Sequence, residues 1–336
     1  MAAVLDAPRV RSEDVTVTLA PEELEVYRRE LTGYCYRMLG SAFDAADAVQ
    51  ETFLHALRAA DRFEGRSSVR SWLYRIATNV CMDMHRSAQR RARPMEFGPA
   101  SPPDEERLGG FLPEATWVTP IADADVLPET GDPAEITVAR ETIRLAFVTA
   151  LQHLPARQRA ALILCEVLRW QAAEVAELLD TSVAAVNSAL QRARATIAAL
   201  PTDSRPLDVD TDNAELLARY VEAFERYDIP AFVKLLHKDA IQSMPPYAMW
   251  LQGAENIGHW MLLPGPSGCR GSRLLATFAN GCPAFAQYRP DPAGGHYPFA
   301  LQVLEISGGR ISGFHSFQGS VERTFAAFGF PAHLPV

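Results

Sequence analysis

Lysine is almost missing from this chain: there are two, Lys234 and Lys238, in 336 residues, so arginine carries nearly all the positive charge. A GC-rich genome would give the same bias together with the abundant alanine, so the distribution of arginine is more informative than its total. Cysteine is also sparse. Cys35, Cys81, Cys165, Cys269 and Cys282 are widely spread and form no C-x-x-C pair. That argues against a zinc ribbon or a dithiol redox motif and for buried, reduced thiols. No apolar run is long enough to span a membrane, and Met1 to Val17 is interrupted by Asp6, Pro8, Arg9, Arg11, Glu13 and Asp14. A secretory signal needs an uninterrupted apolar core, so the expectation is a cytoplasmic protein with no membrane partner.

What is present is ordinary globular material. Apolar residues make up 48% and charged residues 22%, enough for packed cores, and the length suggests two or three domains. The net charge of −9 argues against a nucleic-acid binder only as an average. Between Arg62 and Arg93 there are eight arginines against two acids, Glu64 and Asp83, a net of +6. A basic module is hidden beside acidic ones.

The first module, residues 21–93, reads as wholly helical. Leu24, Tyr27, Leu31, Tyr34 and Met38 form one apolar stripe ending near Gly40. The next helix turns Ala45, Ala48, Val49, Thr52, Phe53, Ala56 and Leu57 inward and Asp44, Asp47, Gln50 and Glu51 outward. Ser67 and Ser68 are N-cap candidates for a third helix in which Trp72, Ile76, Val80 and Met84 are expected to be buried. Residues 94–135 then bring eight prolines and ten acids in 42 positions, a composition expected to give an acidic tether rather than a packed core. Even so, Phe111, Leu112, Trp117, Val118 and Ile121 are more apolar than a passive linker needs. Helical periodicity resumes over 136–200. Trp170 to Leu179, a break at Asp180-Thr181-Ser182 and a helix from Val183 to about Ala198 spell a helix-turn-helix. A polar stretch, 201–213, leads to a last module, 214–330, with helices first and strands after: 273–278, 284–288, 299–306 and 311–317, the last two joined by Ser307-Gly308-Gly309-Arg310.

Phe63, Trp72 and Tyr74 lie among Arg62, Arg66, Arg70 and Arg75. Guanidinium groups that track phosphates and rings that accept unstacked bases are what single-stranded nucleic acid requires, although the same residues also serve as core and solvated face in many helical bundles. Four segments follow in order: Leu31 to Gly40, Asp44 to Phe53 with its D-x-x-Q-E, Phe63 to Ser68, and Ser71 to Asn79. Together they resemble region 2 of the extracytoplasmic-function (ECF) group of bacterial RNA polymerase sigma factors. Leu154 to Arg159 and the helix-turn-helix at 170–198 resemble region 4. The two blocks cover about 140 residues.

The resemblance implies partners and sites. Asp47, Gln50 and Glu51 match the face that docks on the clamp of the polymerase β′ subunit. Phe63, Arg66, Ser67, Trp72, Arg75 and Asn79 match the part that captures a flipped base and holds the melted minus-ten strand. Region 4 implies a helix in the major groove of the minus-thirty-five element and a contact with the β flap, with Ser182, Ala185, Asn187, Ser188, Gln191 and Arg192 as candidates. One departure is that many such helices carry a Lys-Ser-Arg-like triplet where this chain has Asn187-Ser188-Ala189. The net charge over 151–200 is only +1, which implies fewer phosphate contacts and weaker upstream recognition. The acidic 94–135 segment resembles the sigma linker that threads toward the RNA exit path.

The last module is similar in order and size to the SnoaL-like (NTF2-like) α+β cone fused to some ECF factors. The expected fold is therefore multidomain, two all-α sigma modules followed by that cone. Trp250, His259, Tyr288 and His315 are candidates to line a pocket for a small-molecule ligand. No nucleophile triad, paired carboxylate or metal-ligand cluster stands out, so neither cofactor nor catalysis is expected. The competing reading is a SnoaL-type isomerase or hydrolase with a DNA-binding appendage. A plain helix-turn-helix repressor would leave the Asp47-Gln50-Glu51 helix unexplained.

Overall fold

The computed structural model describes residues 21–63, 65, 67–87, 90–200 and 213–335. Helices α1 (Pro21–Glu25), α2 (Arg28–Leu39), α3 (Ala42–Arg58) and α4 (Val69–Ser87) form the first bundle. The first apolar stripe is split by a turn at Val26 and Tyr27, and α2 ends where Gly40 takes a left-handed φ of 70°. Ser41 caps α3 by accepting from the Asp44 amide, and Ser68 rather than Ser67 caps α4 by accepting from Ser71 N at 3.1 Å. The buried face of α4 is rotated from the expected one. Leu73, Tyr74, Ala77, Val80 and Cys81 are buried, while Trp72, Ile76 and Met84 are only half-buried at its margin.

After this bundle come α5 (Asp123–Val126), α6 (Pro133–Glu141), α7 (Leu145–Gln152), α8 (Ala156–Leu162), which runs on into a π-helical turn, and the helix-turn-helix pair α9 (Ala172–Leu178) and α10 (Val183–Ala198). The bundle and this second helical group share one continuous core. Arg159 of α8, fully buried, is its polar centre: it donates to the Met38 carbonyl at the end of α2, to Gln152 Oε1 (2.7 Å) and O (3.2 Å), and to Leu154 O (3.0 Å). Burial lowers its guanidinium to about 10, still charged at neutral pH and matched to the carbonyl-rich end of α2. Arg159→Met keeps the volume and strips the donors from four acceptors. The expected cost is about 3 kcal/mol, read as a lowered denaturant midpoint at unchanged slope.

The last domain comprises α11 (Ala214–Glu225), α12 (Ile229–Leu235), β1 (Leu236–Ser243), β2 (Trp250–Gln252), α13 (Ala254–Met261), α14 (Pro264–Ser267), β3 (Arg273–Ala279), β4 (Cys282–Pro290), β5 (His296–Ser307), β6 (Arg310–Phe317) and α15 (Val321–Ala327). It is α+β, with an open mixed sheet ordered β2-β1-β6-β5-β4-β3, in which only β1 and β6 run parallel. Strand parity separates the two faces. Phe285, Leu304 and Phe314 join Tyr220, Phe224 and Phe232 of the helices in one core. Ala284, Ala286, Tyr288, Leu301 and Val303 face the other way and belong to the core of the two helical groups.

Residues 94–135 depart most from expectation: they are a packed strap, not a free acidic tether. Val118, Ile121, Val126 and Leu127 are buried in the helical core, and Trp117 is buried beside it. Proline blocks repetitive pairing but not individual bonds, and the strap's backbone is satisfied by its neighbours. Val118 N donates to Ala92 O, Thr119 N to Gly40 O, Ser101 N to Trp250 O and Leu112 N to Pro246 O, at 2.8–3.1 Å. The Asn280-Gly281 hairpin between β3 and β4 meets this strap. Both residues have positive φ, 55° and 68°, as a two-residue hairpin demands, and a Cβ on Gly281 would lie 2.9 Å from Arg140 O.

Candidate functional site

Asp47, Gln50 and Glu51 are all exposed on α3, opposite the face that buries Ala45, Ala48, Val49 and Thr52. Leu54, 40% exposed, extends this face by one turn, and Glu51 pairs with His55 Nε2 at 2.8 Å. Three polar groups that can accept hydrogen bonds thus stand next to an uncovered leucine on a rigid helix.

At the start of α4 the rings of Phe63 and Trp72 lie 4.9 Å apart, tilted by 38°. Trp72 is half-buried against the core, so it props Phe63 rather than standing free itself. Ser67 is half-buried, Arg75 and Asn79 are exposed, and Arg66 lies outside the described residues. Arg75 is already engaged: its Nη2 reaches Glu177 O at 3.4 Å and the Glu177 carboxylate at 3.5 Å, in α9. Beside it Arg70 pairs with Glu30 at 2.8 Å and lies over the rings of Tyr74 and Trp170, which are themselves 5.1 Å apart. The helix-turn-helix therefore rests against the arginine face of α4.

On α10, Ala185, Asn187, Gln191 and Arg192 are exposed and Ser188 is half-buried. Ser182 caps the helix, accepting from Ala185 N at 3.2 Å, and Arg192 donates to Ser188 Oγ at 2.9 Å. Arg194 is tied to Glu166.

The four pocket candidates of the last domain are not brought together, and none of them lines the cavity between its sheet and its helices. Trp250 Nε1 donates to Gly98 O (2.9 Å) in the strap, His259 is exposed, and Tyr288 donates to Pro331 O at 2.8 Å. His315 is buried on the face toward the helical groups, with Nδ1 2.8 Å from Ser243 Oγ and Nε2 3.6 Å from Glu305. The cavity, about 420 Å³, lies on the opposite face, between sheet and helices, and includes Gln242, Trp260, Gln287, Arg289, Phe299 and Phe314. The usable signal was parity: Phe285, Gln287 and Arg289 alternate along β4, and polar residues in phase with a core phenylalanine face an interior space.

Two carboxylates where the last domain meets the helices titrate in opposite senses. Burial raises Asp123, which accepts from Gly281 N at 2.8 Å, to about 6. For Glu305 burial works upward too, but His315, with Arg93 and Arg144, outweighs it and holds the carboxyl at about 2. A raised carboxyl takes up a proton in the folded state that the unfolded chain does not take. Stability is therefore expected to grow as pH falls from 7.5 to 5, on the order of 1 kcal/mol from Asp123 alone. The contribution of Glu305, present above the ordinary carboxyl range, disappears as pH drops toward 2. Asp123→Asn should raise the melting temperature at pH 7.5 and flatten the profile between pH 5 and 7. A mutant profile parallel to the original would refute the assignment.

Comparison with known proteins agrees with this arrangement. Residues 24–91 match the Sigma-70 region 2 family and residues 144–197 the Sigma-70, region 4 family. The chain is 44% identical over 316 residues to the ECF RNA polymerase sigma factor SigG of Mycobacterium tuberculosis, covering 92% of this chain and 83% of that protein. It is 32% identical over 221 residues to SigJ of the same species, covering 65% of this chain and 62% of SigJ. The crystal structure of SigJ has the same fold over 91% of this chain and 98% of its own, with a TM-score of 0.57 at 24% identity. The chain belongs to the ECF RNA polymerase sigma factors, which direct promoter-specific transcription initiation and are not enzymes.

Proposed function

We propose that α3 docks on the clamp of the polymerase β′ subunit through Asp47, Gln50 and Glu51, while the helix-turn-helix domain rests on the β flap. In this reading Phe63, Arg66, Ser67, Trp72, Arg75 and Asn79 hold the melted minus-ten strand. The α10 face of Ala185, Asn187, Ser188, Gln191 and Arg192 enters the minus-thirty-five major groove, with the Ser182-capped N-terminus toward a phosphate. The observation that carries it is the exposed α3 face: three polar side chains and a leucine stand uncovered on one side of a helix whose other side is buried in the bundle. The polymerase surface is open while the strand-binding surface is held by Arg75–Glu177 and Trp170. Core docking can then come first and promoter engagement after α9 has moved. The last domain is proposed to answer to a small molecule in its cavity.

Phe63→Ala with Asn79→Ala tests the strand-binding part. Permanganate reactivity of the promoter is expected to fall at least about tenfold, since a lost base stack is worth about 1–3 kcal/mol, with core polymerase affinity kept within about twofold. Equal loss of both would indicate a damaged fold and remove the assignment.

A further inference from the structure

We infer that the cavity of the last domain binds an apolar monocarboxylic acid carrying a hydroxyl group, gripped by Arg289 and Gln242 beneath residues 105–108 of the strap. The inference rests on the ligand-responsive reading of this domain given above and names the ligand's chemistry.

Most polar groups around the cavity are already satisfied. Tyr220 donates to Gln302 Oε1 at 2.6 Å, Gln302 Nε2 to Gln287 Oε1 at 2.8 Å, and Gln287 Nε2 to Ser272 Oγ at 3.0 Å. That chain leaves Gln287, which lines the space, with both ends of its amide engaged. Two atoms are left over. Gln242 is 2% exposed and its Oε1 has no hydrogen-bond partner. The Nε of Arg289 is also buried without one. The Arg289 guanidinium lies 3.4 Å over the Phe299 ring and spends Nη2 on the Cys269 sulfur at 3.0 Å. No carboxylate among the described residues is within ion-pair reach of it. An unpartnered buried acceptor and a half-buried guanidinium with a buried, unpartnered Nε each carry a desolvation cost that a ligand can remove. Gln242 Oε1 needs a donor, which a hydroxyl supplies and an ionised carboxylate does not. Arg289 needs an anionic acceptor, which a carboxylate supplies. The rest of the lining, Phe224, Trp260, Met261 and Phe314 among it, asks for hydrocarbon. At about 420 Å³ the cavity is within the usual range of small-molecule sites, about 300–1,000 Å³.

The strap forms part of the wall. Glu105 and Leu108 line the cavity, and Glu105 Oε1 accepts from Gly265 N at 2.5 Å. Arg289 abuts Gly268, at the end of the same short helix. A ligand carboxylate on Arg289 therefore settles within about one helical turn of the Glu105 carboxylate and weakens its hold. Tyr247, another lining residue, packs its ring 4.8 Å from Phe111 of the strap. Occupancy is thereby transmitted to the segment that joins the two sigma modules.

Calorimetric titration of the full-length protein with 3-hydroxydecanoate, 10-hydroxydecanoate and decanoate below their micellar concentrations, and with 1-decanol below its solubility limit, tests this without polymerase or DNA. At least one hydroxy acid is expected to bind more tightly than decanoate, and 1-decanol weakest of all. Arg289→Gln should weaken the acids at least about tenfold while leaving 1-decanol unchanged, and Gln242→Leu should abolish the preference for the hydroxyl. Glu105→Gln should strengthen acid binding by about two- to fivefold, a gain that a misfolded variant cannot give. No binding by any probe, binding of 1-decanol equal to the acids, or an Arg289→Gln variant indistinguishable from the original would overturn the proposal. Run-off transcription without any probe reports separately on the sigma assignment, so the two can fail independently.

Discussion

Lysine at positions 47 and 51 together is expected to lower the affinity for core RNA polymerase by at least about a hundredfold while leaving the melting temperature of the free protein unchanged. The first half follows from the proposed docking face. Two reversals change its charge by four units against a partner surface selected to attract carboxylates, and like-charge juxtaposition at an interface costs several kcal/mol, against about 2.7 kcal/mol for a hundredfold change. The second half follows from exposure. Neither residue is buried, and among the described residues the bond lost is the surface pair of Glu51 with His55. Such pairs contribute about 0–1 kcal/mol. The helix keeps its Ser41 cap and its apolar face, so the fold has no reason to respond. Competition for core polymerase against a labelled sigma factor reads the first quantity and scanning calorimetry the second. Unchanged competition would show that α3 is merely a solvated helix and would send the search for the docking face elsewhere, beginning with the exposed Val26 near the start of α2.

The α3 face was legible from the sequence because a helix of 17 residues repeats its pattern often enough to separate the two sides. Helix α10 was equally legible, from its start at Val183 to its end at Ala198. The buried side of α4 was read one position off, since Trp72 is large and apolar yet lies at the margin where Phe63 covers it. Size suggested burial, but packing partners decided it. The pocket was misplaced for a related reason. His259, His315, Tyr288 and Trp250 attract notice by their chemistry, but a strand residue's face is fixed by parity, and His315 alternates with Phe314 of the cavity wall. The strap was the least legible. Its prolines and acids describe a chain that cannot make its own regular structure, and they say nothing of the partners that Gly40, Ala92, Pro246 and Trp250 offer from elsewhere in the sequence. Interactions between residues tens to more than a hundred positions apart leave no local signature. The Asn280-Gly281 dipeptide is an exception, being a short-range hairpin signal between alternating strands that also marks a long-range contact.

That hairpin carries the second large effect. Asn280 is fully buried and ties four segments together. Its Nδ2 donates to Tyr36 OH and to Ile143 O, each at 2.6 Å, and its Oδ1 accepts from Ile121 N at 3.1 Å, while its own amide donates to Ile121 O at 3.1 Å. Asn280→Ala removes the three side-chain bonds and leaves a buried amide and a buried carbonyl without partners, at about 1–3 kcal/mol each. It also places alanine at a φ of 55°, which asparagine tolerates better, by about 1 kcal/mol. The expected total is about 3–5 kcal/mol, charged to the contact between the last domain and the helical groups rather than to either one alone. Calorimetry should then show two transitions where the original protein is expected to show one, and hydrogen exchange should accelerate at Ile121 while Phe285 and Leu304, in the separate core of the last domain, stay protected. Asn280→Gly separates the causes, because it relieves the backbone but not the lost bonds, and should recover only about 1 kcal/mol of the loss. If Asn280→Ala melts like the original protein, the polar junction contributes nothing and the domains are held by Ala284, Ala286, Leu301 and Val303 packing on the helical core.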